Sequence, residues 1–446
     1  MTKTHIITTA QANARPNKKL LETMRHYTDN VVVLPTTGKT GKEQDLHPYF
    51  NDFDVEPKKR KLNNNIKLQV LNIRPQQLDP CVGQDRRAMY DSSIVFEGTK
   101  QRIKPIATSK LHPKFLTTTG ACTEPNYATG EEMSPERRRL ASLAHLDHTY
   151  GGCVVDVIDN TKYLLRLVRS GKSGKFVDLG WLYDGNKDPE FIGAEHLVVG
   201  DRHSGITDPK AKQATLEQIL QLKPKELWEH DFGDFHTICH HNEGQIGYFA
   251  QYADMFHHWN LEEEMTTHVQ DLLELIDAMD GRRINLVYSN HAPGFLERWL
   301  RDAKFATEAQ NSRFGALLYA DMINGKNPMQ SGYERIYGGK LPGNVVFLDK
   351  YADEQRFGYQ MANHGHLGKN GGKGNIRSQE HDSGKSIAGH RHCEEKMREV
   401  YTVPCTRVLR LPWMGGGPST GSHGTCAIYK TGTPQLIRII DGMWHK

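Results

Sequence analysis

The sequence contains no long hydrophobic run and no closely paired cysteines, and these absences exclude several classes of protein. No stretch approaches the ~20 apolar residues that a membrane span requires, and residues 1–7 lack the apolar segment of a secretory signal. The seven cysteines form no C-x-x-C pair, which argues against a disulfide framework and against a cysteine-rich zinc site. We therefore expect a cytoplasmic protein with no membrane span.

The sequence also lacks a strong excess of charge of either sign, whereas histidine is abundant. The net charge of +4 permits an anionic partner but does not require one. Of the 23 histidines, 15 fall between His196 and His392. Histidine is the commonest ligand of transition metals and titrates near neutral pH. This concentration therefore predicts a metal site or an acid–base site in the second half of the chain.

The alternation of predicted strands and helices indicates the α/β class. Residues 5–11, 17–27 and 31–34 have the patterns of a strand, a helix and a buried strand, and such a unit predicts a parallel sheet. A second unit of this kind begins at residue 194, with predicted strands at 195–199, 226–230 and 284–289 and helices at 209–222 and 261–280. A length of 446 residues fits two domains, which we place at 1–193 and 194–446.

Five short motifs rich in Asp, His and Asn occur in order, most of them after a predicted strand. They are Gly-Asp-Arg-His at 200–203, His-Asp-Phe-Gly-Asp at 230–234, Ser-Asn-His at 289–291, Asn-His-Gly-His at 363–366 and Gly-His-Arg-His at 389–392. In open α/β sheets, binding residues gather beyond the carboxyl ends of the strands. Imidazole, carboxylate and amide oxygen suit Mn, Zn or Fe. Two such ions that share a carboxylate can activate water and neutralise a phosphate ester.

These motifs resemble those of the calcineurin-like metallophosphoesterases, whose pattern is D-x-H, G-D, G-N-H-(D/E), H and G-H-x-H. The resemblance covers roughly residues 195–400. It implies an α/β fold in which a β-sandwich is flanked by helices. It also implies two divalent metal ions, with Mn first and Mg, Zn and Fe as alternatives.

Carried over residue by residue, the family pattern implies seven metal ligands and one catalytic histidine. The ligands of the first ion are Asp201, His203 and His392. The ligands of the second ion are Asn290, His364 and His390. The bridge between the ions is Asp231, and the catalytic histidine near the leaving group is His291.

The second motif departs from the family pattern and leaves two candidates for the bridge. His230 stands where glycine is usual, and a Gly-Asp pair follows at 233–234. Strand length favours Asp231, because five residues of predicted strand precede it directly. Asp234 is the alternative.

The third and fourth motifs also leave questions open. Ala292 stands where an acidic residue is usual, so His291 lacks that adjacent partner. In the fourth motif, His366 competes with His364 for the ligand position, and His364 fits better because it directly follows the run Met361-Ala-Asn.

A narrower resemblance connects the chain with the pre-early DNA-transfer nucleases of certain tailed bacteriophages, which are Mn-dependent DNases of the phosphoesterase type. The resembling segments reach across most of the chain and are 117–126, 147–150, 364–372, 417–420 and 435–444. The first is polar and marked by Gly and Pro, so we expect a loop near the cleft. The resemblance implies DNA as partner, a homo-oligomer, a second phage DNA-transfer protein as a further partner, and location in the host cytoplasm.

The sequence as a whole predicts a metal-dependent DNase, with an N-terminal domain that shapes the DNA groove or supports assembly. Two alternatives stay open. One is a phosphatase or small-nucleotide phosphodiesterase on the same site, and the other is a non-catalytic DNA-transfer scaffold with a structural metal. Candidates for contact with DNA phosphates are His241, Lys369 and Lys373.

Overall fold

The structure, a computed structural model, describes residues 3–38, 45–127, 133–239, 260–411 and 417–445. Within these ranges the α-helices are Lys18–Tyr27, Asp85–Met89, Pro135–Leu146, Pro209–Leu222, Leu261–Met279, Gly294–Arg301, Ser312–Ile323, Pro328–Tyr337 and Ile376–Ser383. Short 3-10 helices are Pro48–Asp52, His236–Ile238, Lys304–Thr307 and Lys369–Gly371. Together with several multi-stranded sheets, these helices confirm the α/β class. None of the helices in the described ranges is both long enough and apolar enough to cross a lipid bilayer.

The chain forms two compact units. The first unit comprises Met1–Ala194, Cys393–Tyr401 and Arg410–Lys446, and the second comprises Glu195–His392 and Thr402–Leu409. The boundary predicted between 193 and 194 lies beside the observed one, but the predicted second domain, 194–446, includes segments that belong to the first unit. The strand Glu395–Met397 gives the reason, because it pairs antiparallel with Gln101–Ile106 of the first unit.

The first unit is built on an eight-stranded sheet and on further strands of its own. The eight strands, in spatial order, are Glu190–Phe191, Trp181–Tyr183, Phe176–Asp178, Tyr163–Ser170, Tyr150–Val157, Lys3–Gln11, Val31–Thr36 and Asp54–Val55. The other strands of this unit pair in the order Glu395–Met397, Gln101–Ile106, Lys114–Thr119, Ser93–Phe96, Ile66–Gln69 and Lys59–Lys61, and a hairpin joins His423–Ile428 to Pro434–Ile439. The predicted β-α-β unit is confirmed, since Lys3–Gln11 pairs parallel with Val31–Thr36.

The segment 117–126, predicted to be a loop near the cleft, is instead largely buried in the first unit. Residues 117–119 end the strand Lys114–Thr119, and Thr119 Oγ1 lies 2.7 Å from Thr9 Oγ1. Gln11 holds the end of the segment, because its Nε2 donates to the Asn126 carbonyl and its Oε1 accepts the Asn126 N–H, at 2.8 and 2.9 Å. Polar groups can be buried where neighbouring segments satisfy their hydrogen bonds, which composition alone does not reveal.

The second unit is built on four parallel strands with helices between them. In spatial order the strands are His196–Val199, Glu226–Glu229, Arg283–Leu286 and Val345–Phe347. The predicted strands at 195–199, 226–230 and 284–289 are thus present but shorter. The remaining strands of this unit are Gln355–Arg356, Tyr359–Gln360 and Ser386–Ala388, and the strand Val400–Thr402 includes the point at which the chain passes from the first unit to the second. Two helices begin at side-chain caps, because Asp208 accepts the N–H of Lys210 and Asn260 accepts the N–H of Glu262.

Candidate metal centre

The motifs of the second unit begin where its parallel strands end. Asp201 follows His196–Val199, Asp231 follows Glu226–Glu229, and Asn290 follows Arg283–Leu286. The backbone ladder continues past the first two strands. The N–H groups of Arg202, His203 and Ser204 donate to the carbonyls of His230, Asp231 and Phe232, at 3.1, 2.8 and 2.8 Å. The first two ligand-bearing turns are therefore joined by main-chain hydrogen bonds.

Four of the predicted ligands have a left-handed backbone conformation, which is uncommon for residues other than glycine. The φ angle is +51° at His203, +41° at Asp231, +70° at His390 and +54° at His392. Such conformations cost on the order of 1–3 kcal/mol each and persist only where the surrounding structure enforces them, often at binding and catalytic sites. Their concentration in these motifs supports a functional site.

The side chains converge into three overlapping sets of candidate metal ligands. The first set is Asp201, His203 and His392, the second is His203, Asp231 and His291, and the third is Asp201, Asp231 and His364. In each set the donor atoms all lie within 4.8 Å of one another. The first set coincides with the residues predicted to hold the first ion. Because the sets share members, they form one continuous centre.

Several donor atoms of this centre approach one another without forming a hydrogen bond. Asp201 Oδ2 lies 2.6 Å from His392 Nε2, and His364 Nε2 lies 3.2 Å from Asp231 Oδ2, yet neither contact has hydrogen-bond geometry. The buried Asn290 Oδ1 likewise has no hydrogen-bond donor within the described part of the chain. Buried polar atoms normally have partners, and ligand atoms at about 2.0–2.2 Å from one cation lie roughly 3 Å apart. The residues therefore fit a divalent cation.

Asp231 and Asp234, the two candidates for the bridge, have different surroundings. Asp231 belongs to two of the three ligand sets. Asp234 Oδ1 instead lies 2.6 Å from His203 Nδ1. A carboxylate on the second ring nitrogen of a ligating histidine fixes the tautomer of the ring and raises its basicity. Asp231 therefore fits the predicted bridge better than Asp234 does, and Asp234 lies where it can orient the ring of His203.

The turn that carries Asp234 is held by the helix Leu261–Met279. The carboxylate of Glu264 accepts the N–H of His236 and of Thr237, at 2.8 and 3.1 Å. Gly233 packs so closely that a Cβ atom there would lie 2.7 Å from the ring of His268. The Gly-Asp pair at 233–234 is therefore explained by close packing and by the contact with His203.

His291 has a main-chain partner in place of the acidic neighbour that Ala292 does not supply. Its Nδ1 lies 2.9 Å from the Asp234 carbonyl, which can only accept, so Nδ1 carries the proton. Its ring packs against Phe295 with centroids 4.4 Å apart. In the neutral ring, Nε2 is then free to accept a proton, and in the charged ring it can donate one.

Arg407 belongs to the centre although no motif identified it. Its Nε donates to His392 Nδ1 at 3.0 Å, so the neutral ring carries its proton on Nε2 here, and binding of a cation at Nε2 requires the proton to move to Nδ1. The N–H of the neighbouring Thr406 donates to the Asp201 carbonyl at 3.1 Å. The segment Thr402–Leu409 thus returns to the second unit after the chain has entered the first. No local pattern in this segment predicts the contact of Arg407 with His392, because the contact depends on the path of the whole chain.

Burial favours the neutral form of His392, His366 and His390, and neutral imidazole is the form that binds metals. It lowers the pKa of His392 to about 4, with a contribution from the charge of Arg407. Burial also lowers the pKa of His366 to about 4 and lowers the pKa of His390. His364 is the exception, because Asp231 and Asp201 outweigh burial and raise its pKa.

The carboxylates of the centre are ionised. Burial by itself would raise the pKa of Asp201 and of Asp231, but the neighbouring His392 and His364 act most strongly in the opposite direction. The pKa of each carboxyl group therefore lies far below its usual range. At neutral pH the centre offers the charged oxygen ligands that divalent cations require.

His390 and His366 also lie near His364. The ring centroids of His390 and His366 are 5.3 and 5.5 Å from that of His364, and the His390 N–H donates to Asp201 Oδ1 at 2.6 Å. Of the three histidines, only His364 belongs to one of the ligand sets found among the described residues. The ligand roles of all seven residues and the catalytic role of His291 stay predictions.

Two of the three candidate DNA contacts lie on an exposed loop. Lys369 and Lys373 are exposed, on a loop closed by a hydrogen bond of 2.8 Å from the Gly368 N–H to the Gly372 carbonyl. His241 lies outside the described residues. A phosphate-binding role for these residues stays a prediction.

Replacing Asp234 with Asn is expected to weaken metal binding without abolishing it, because Asp234 contacts the predicted ligand His203. The amide oxygen can still accept a hydrogen bond from His203 Nδ1, but the negative charge is lost. Substitution of such outer partners commonly weakens metal binding by about 10–100-fold, and we expect the lower end of this range for Mn²⁺, measured by isothermal titration calorimetry. The exposed Asp349→Asn is the matched control. Complete loss of binding in Asp234→Asn would instead assign the bridge to Asp234.

Comparison with known proteins gives a distant similarity to a phage protein. The chain matches no protein-family profile and no solved structure. It is similar to Protein A1 of Escherichia phage T5, with 25% identity over 477 residues. The similarity covers 99% of this chain and 82% of Protein A1. It therefore extends over both compact units and is not confined to the metal centre.

Proposed function

We propose that the chain is a two-metal phosphodiesterase that hydrolyses DNA. The observation that carries the proposal is the overlap of two ligand sets at Asp201, with His203 and His392 in one set and Asp231 and His364 in the other. Overlapping sets can hold two neighbouring cations, whereas a structural site needs one closed set. The proposal includes the metallophosphoesterase type of fold, a β-sandwich flanked by helices.

Seven residues of the chain would bind the metal ions, and one histidine would transfer a proton. The first ion would be held by Asp201, His203 and His392, the second by Asn290, His364 and His390, and both by Asp231. Two bound divalent ions, with Mn first among Mn, Mg, Zn and Fe, supply a water molecule of lowered pKa and neutralise phosphate charge. His291, whose Nδ1 is held by the Asp234 carbonyl, would donate a proton from Nε2 to the departing sugar oxygen.

The choice of DNA as substrate is supported by two similarities. Segments spread over most of the chain resemble phage DNA-transfer nucleases, and the similarity to a phage protein extends over nearly the whole chain. Action in the host cytoplasm, a homo-oligomeric state and a second phage DNA-transfer protein as partner belong to the same proposal. The first unit would shape the DNA groove or support assembly.

The substrate is tested by comparing two phosphodiesters of very different size. Plasmid DNA and bis(p-nitrophenyl) phosphate are each incubated with the purified full-length chain and Mn²⁺, with a chelator in parallel. We expect cleavage of the plasmid that the chelator abolishes. Rapid turnover of the small diester without cleavage of DNA would favour a small-nucleotide phosphodiesterase, and turnover of the monoester p-nitrophenyl phosphate alone would favour a phosphatase. Binding of DNA without hydrolysis of any of these compounds would favour a scaffold.

A further inference from the structure

His364, one of the predicted metal ligands, engages a partner through each of its two ring nitrogens. Its Nε2 faces Asp231 Oδ2 at 3.2 Å, on the side of the metal centre. Its Nδ1 lies 3.4 Å from Nδ1 of His230, and the two rings are tilted by 30° with centroids 5.6 Å apart. Both histidines are buried, with 1% and 0% of their surface exposed.

The hydrogen-bonding capacity of imidazole assigns the proton between these two rings. A neutral imidazole has one donor and one acceptor nitrogen. If His364 Nε2 is to bind a cation, its proton must be on Nδ1, and Nδ1 then donates to His230. His230 must accept at Nδ1 and carry its own proton on Nε2. Ligating histidines usually donate to a carboxylate, a main-chain carbonyl or water, and in this chain a second imidazole takes that place.

The backbone of His230 is held on both sides, so its ring is well placed for this task. Its N–H donates to the Val199 carbonyl at 3.2 Å, and its carbonyl accepts the Arg202 N–H at 3.1 Å. These bonds join it to the turn that carries Asp201 and His203. His230 is also the residue that replaces the usual glycine of the family pattern, and a glycine could make no such contact with His364.

We propose that His230 is a positioning residue of the metal centre, which holds His364 in the tautomer and orientation that bind a divalent cation. The inference rests on the proposed metal centre and assigns to it a residue outside the seven predicted ligands. A neutral imidazole is a weaker acceptor than a carboxylate, so this arrangement raises the basicity of His364 less than a carboxylate would. The affinity of the centre for its ion therefore depends on the acceptor at position 230.

The test compares variants of His230 whose hydrogen-bond acceptors lie at different places, and it measures the affinity of each variant for Mn²⁺. In His230→Asn the amide oxygen can take the place of Nδ1, so an acceptor for His364 is kept. In His230→Gln the amide oxygen reaches the place of Nε2 instead. In His230→Leu the side chain has no acceptor. We expect affinity close to that of the unaltered chain for His230→Asn and a loss of about 10–100-fold for His230→Gln and His230→Leu. His196→Leu, at the opposite end of the first parallel strand and also buried, is the matched control.

Calorimetry without substrate separates this inference from the proposed function. Thermal unfolding in the absence of metal shows whether each variant is folded, and the comparison of Asn with Gln remains decisive if His230→Leu does not fold. Equal affinity of the Asn and Gln variants would overturn the role of His230 while leaving the metal centre intact. Absence of Mn²⁺ binding by the unaltered chain would overturn the metal centre itself.

Discussion

Replacing Asp231 with Asn is expected to reduce metal-dependent hydrolysis by about 10³-fold or more, which corresponds to roughly 4 kcal/mol of activation free energy. Asp231 belongs to two ligand sets, one with His203 and His291 and one with Asp201 and His364. An amide has one coordinating oxygen and no charge, so it cannot neutralise two cations as a carboxylate does. Binding of Mn²⁺ is expected to fall with the activity.

The fold should survive Asp231→Asn, which makes the experiment interpretable. The φ angle at this position is +41°, and Asn tolerates the left-handed region better than most residues. The carbonyl that accepts the His203 N–H is unchanged. Far-ultraviolet circular dichroism and thermal unfolding check the fold, and the exposed Asp349→Asn is the matched control. An Asp231→Asn variant with undiminished hydrolysis and Mn²⁺ binding would rule out Asp231 as a shared ligand.

Replacing Gly200 with Ala is expected to destabilise the second unit by about 3 kcal/mol or more, at the upper end of the range for overpacked cores. A Cβ atom at this position would lie 1.8 Å from the carbonyl oxygen of Pro404 and 2.9 Å from that of Val403. These obstacles are main-chain atoms, so no side-chain rotation can relieve the clash. The segment Thr402–Leu409 must move instead, and the hydrogen bond from the Thr406 N–H to the Asp201 carbonyl is then lost.

This loss of stability is measured as a fall in the midpoint of thermal unfolding. For a unit of about 200 residues, 3 kcal/mol corresponds to roughly 6–12 °C. Gly343→Ala is the matched control, because no heavy atom lies within 4 Å of a Cβ built there and its φ is not in the left-handed range. We also expect weaker Mn²⁺ binding in Gly200→Ala, since Asp201 is the next residue. Equal unfolding midpoints for the two glycine variants would contradict the close approach of Pro404.

Much of the local structure follows from patterns that the sequence displays directly. The helix Lys18–Tyr27 and the strand Val31–Thr36 lie where periodicity predicted them. The helix Leu261–Met279 begins after Asn260, whose side chain accepts the N–H of Glu262 and of Glu263. These elements are predictable because their causes, amphipathic spacing and capping, act within a few residues.

Where the structure differs from the predictions, the cause is a contact between residues that are far apart in the chain. The segment 117–126 is polar yet largely buried, because Gln11 and Thr9 supply hydrogen bonds from more than a hundred residues away. The residues Cys393–Tyr401 and Arg410–Lys446 belong to the first unit, because the strand Glu395–Met397 pairs with Gln101–Ile106. Neither composition nor periodicity within these segments contains that information.

The difference between local and long-range causes also applies to the candidate site. The sequence by itself determined the types of candidate ligand and their order along the chain, since Asp, His and Asn follow strands whose carboxyl ends meet at one edge of a parallel sheet. Only the tertiary structure decided which atoms meet. Asp234 faces His203 in a turn that Glu264 holds, and His364 Nδ1 lies 3.4 Å from His230 Nδ1 because the fold buries both rings in the same unit. Hydrogen bonds between distant segments set these partners, and no local pattern encodes them.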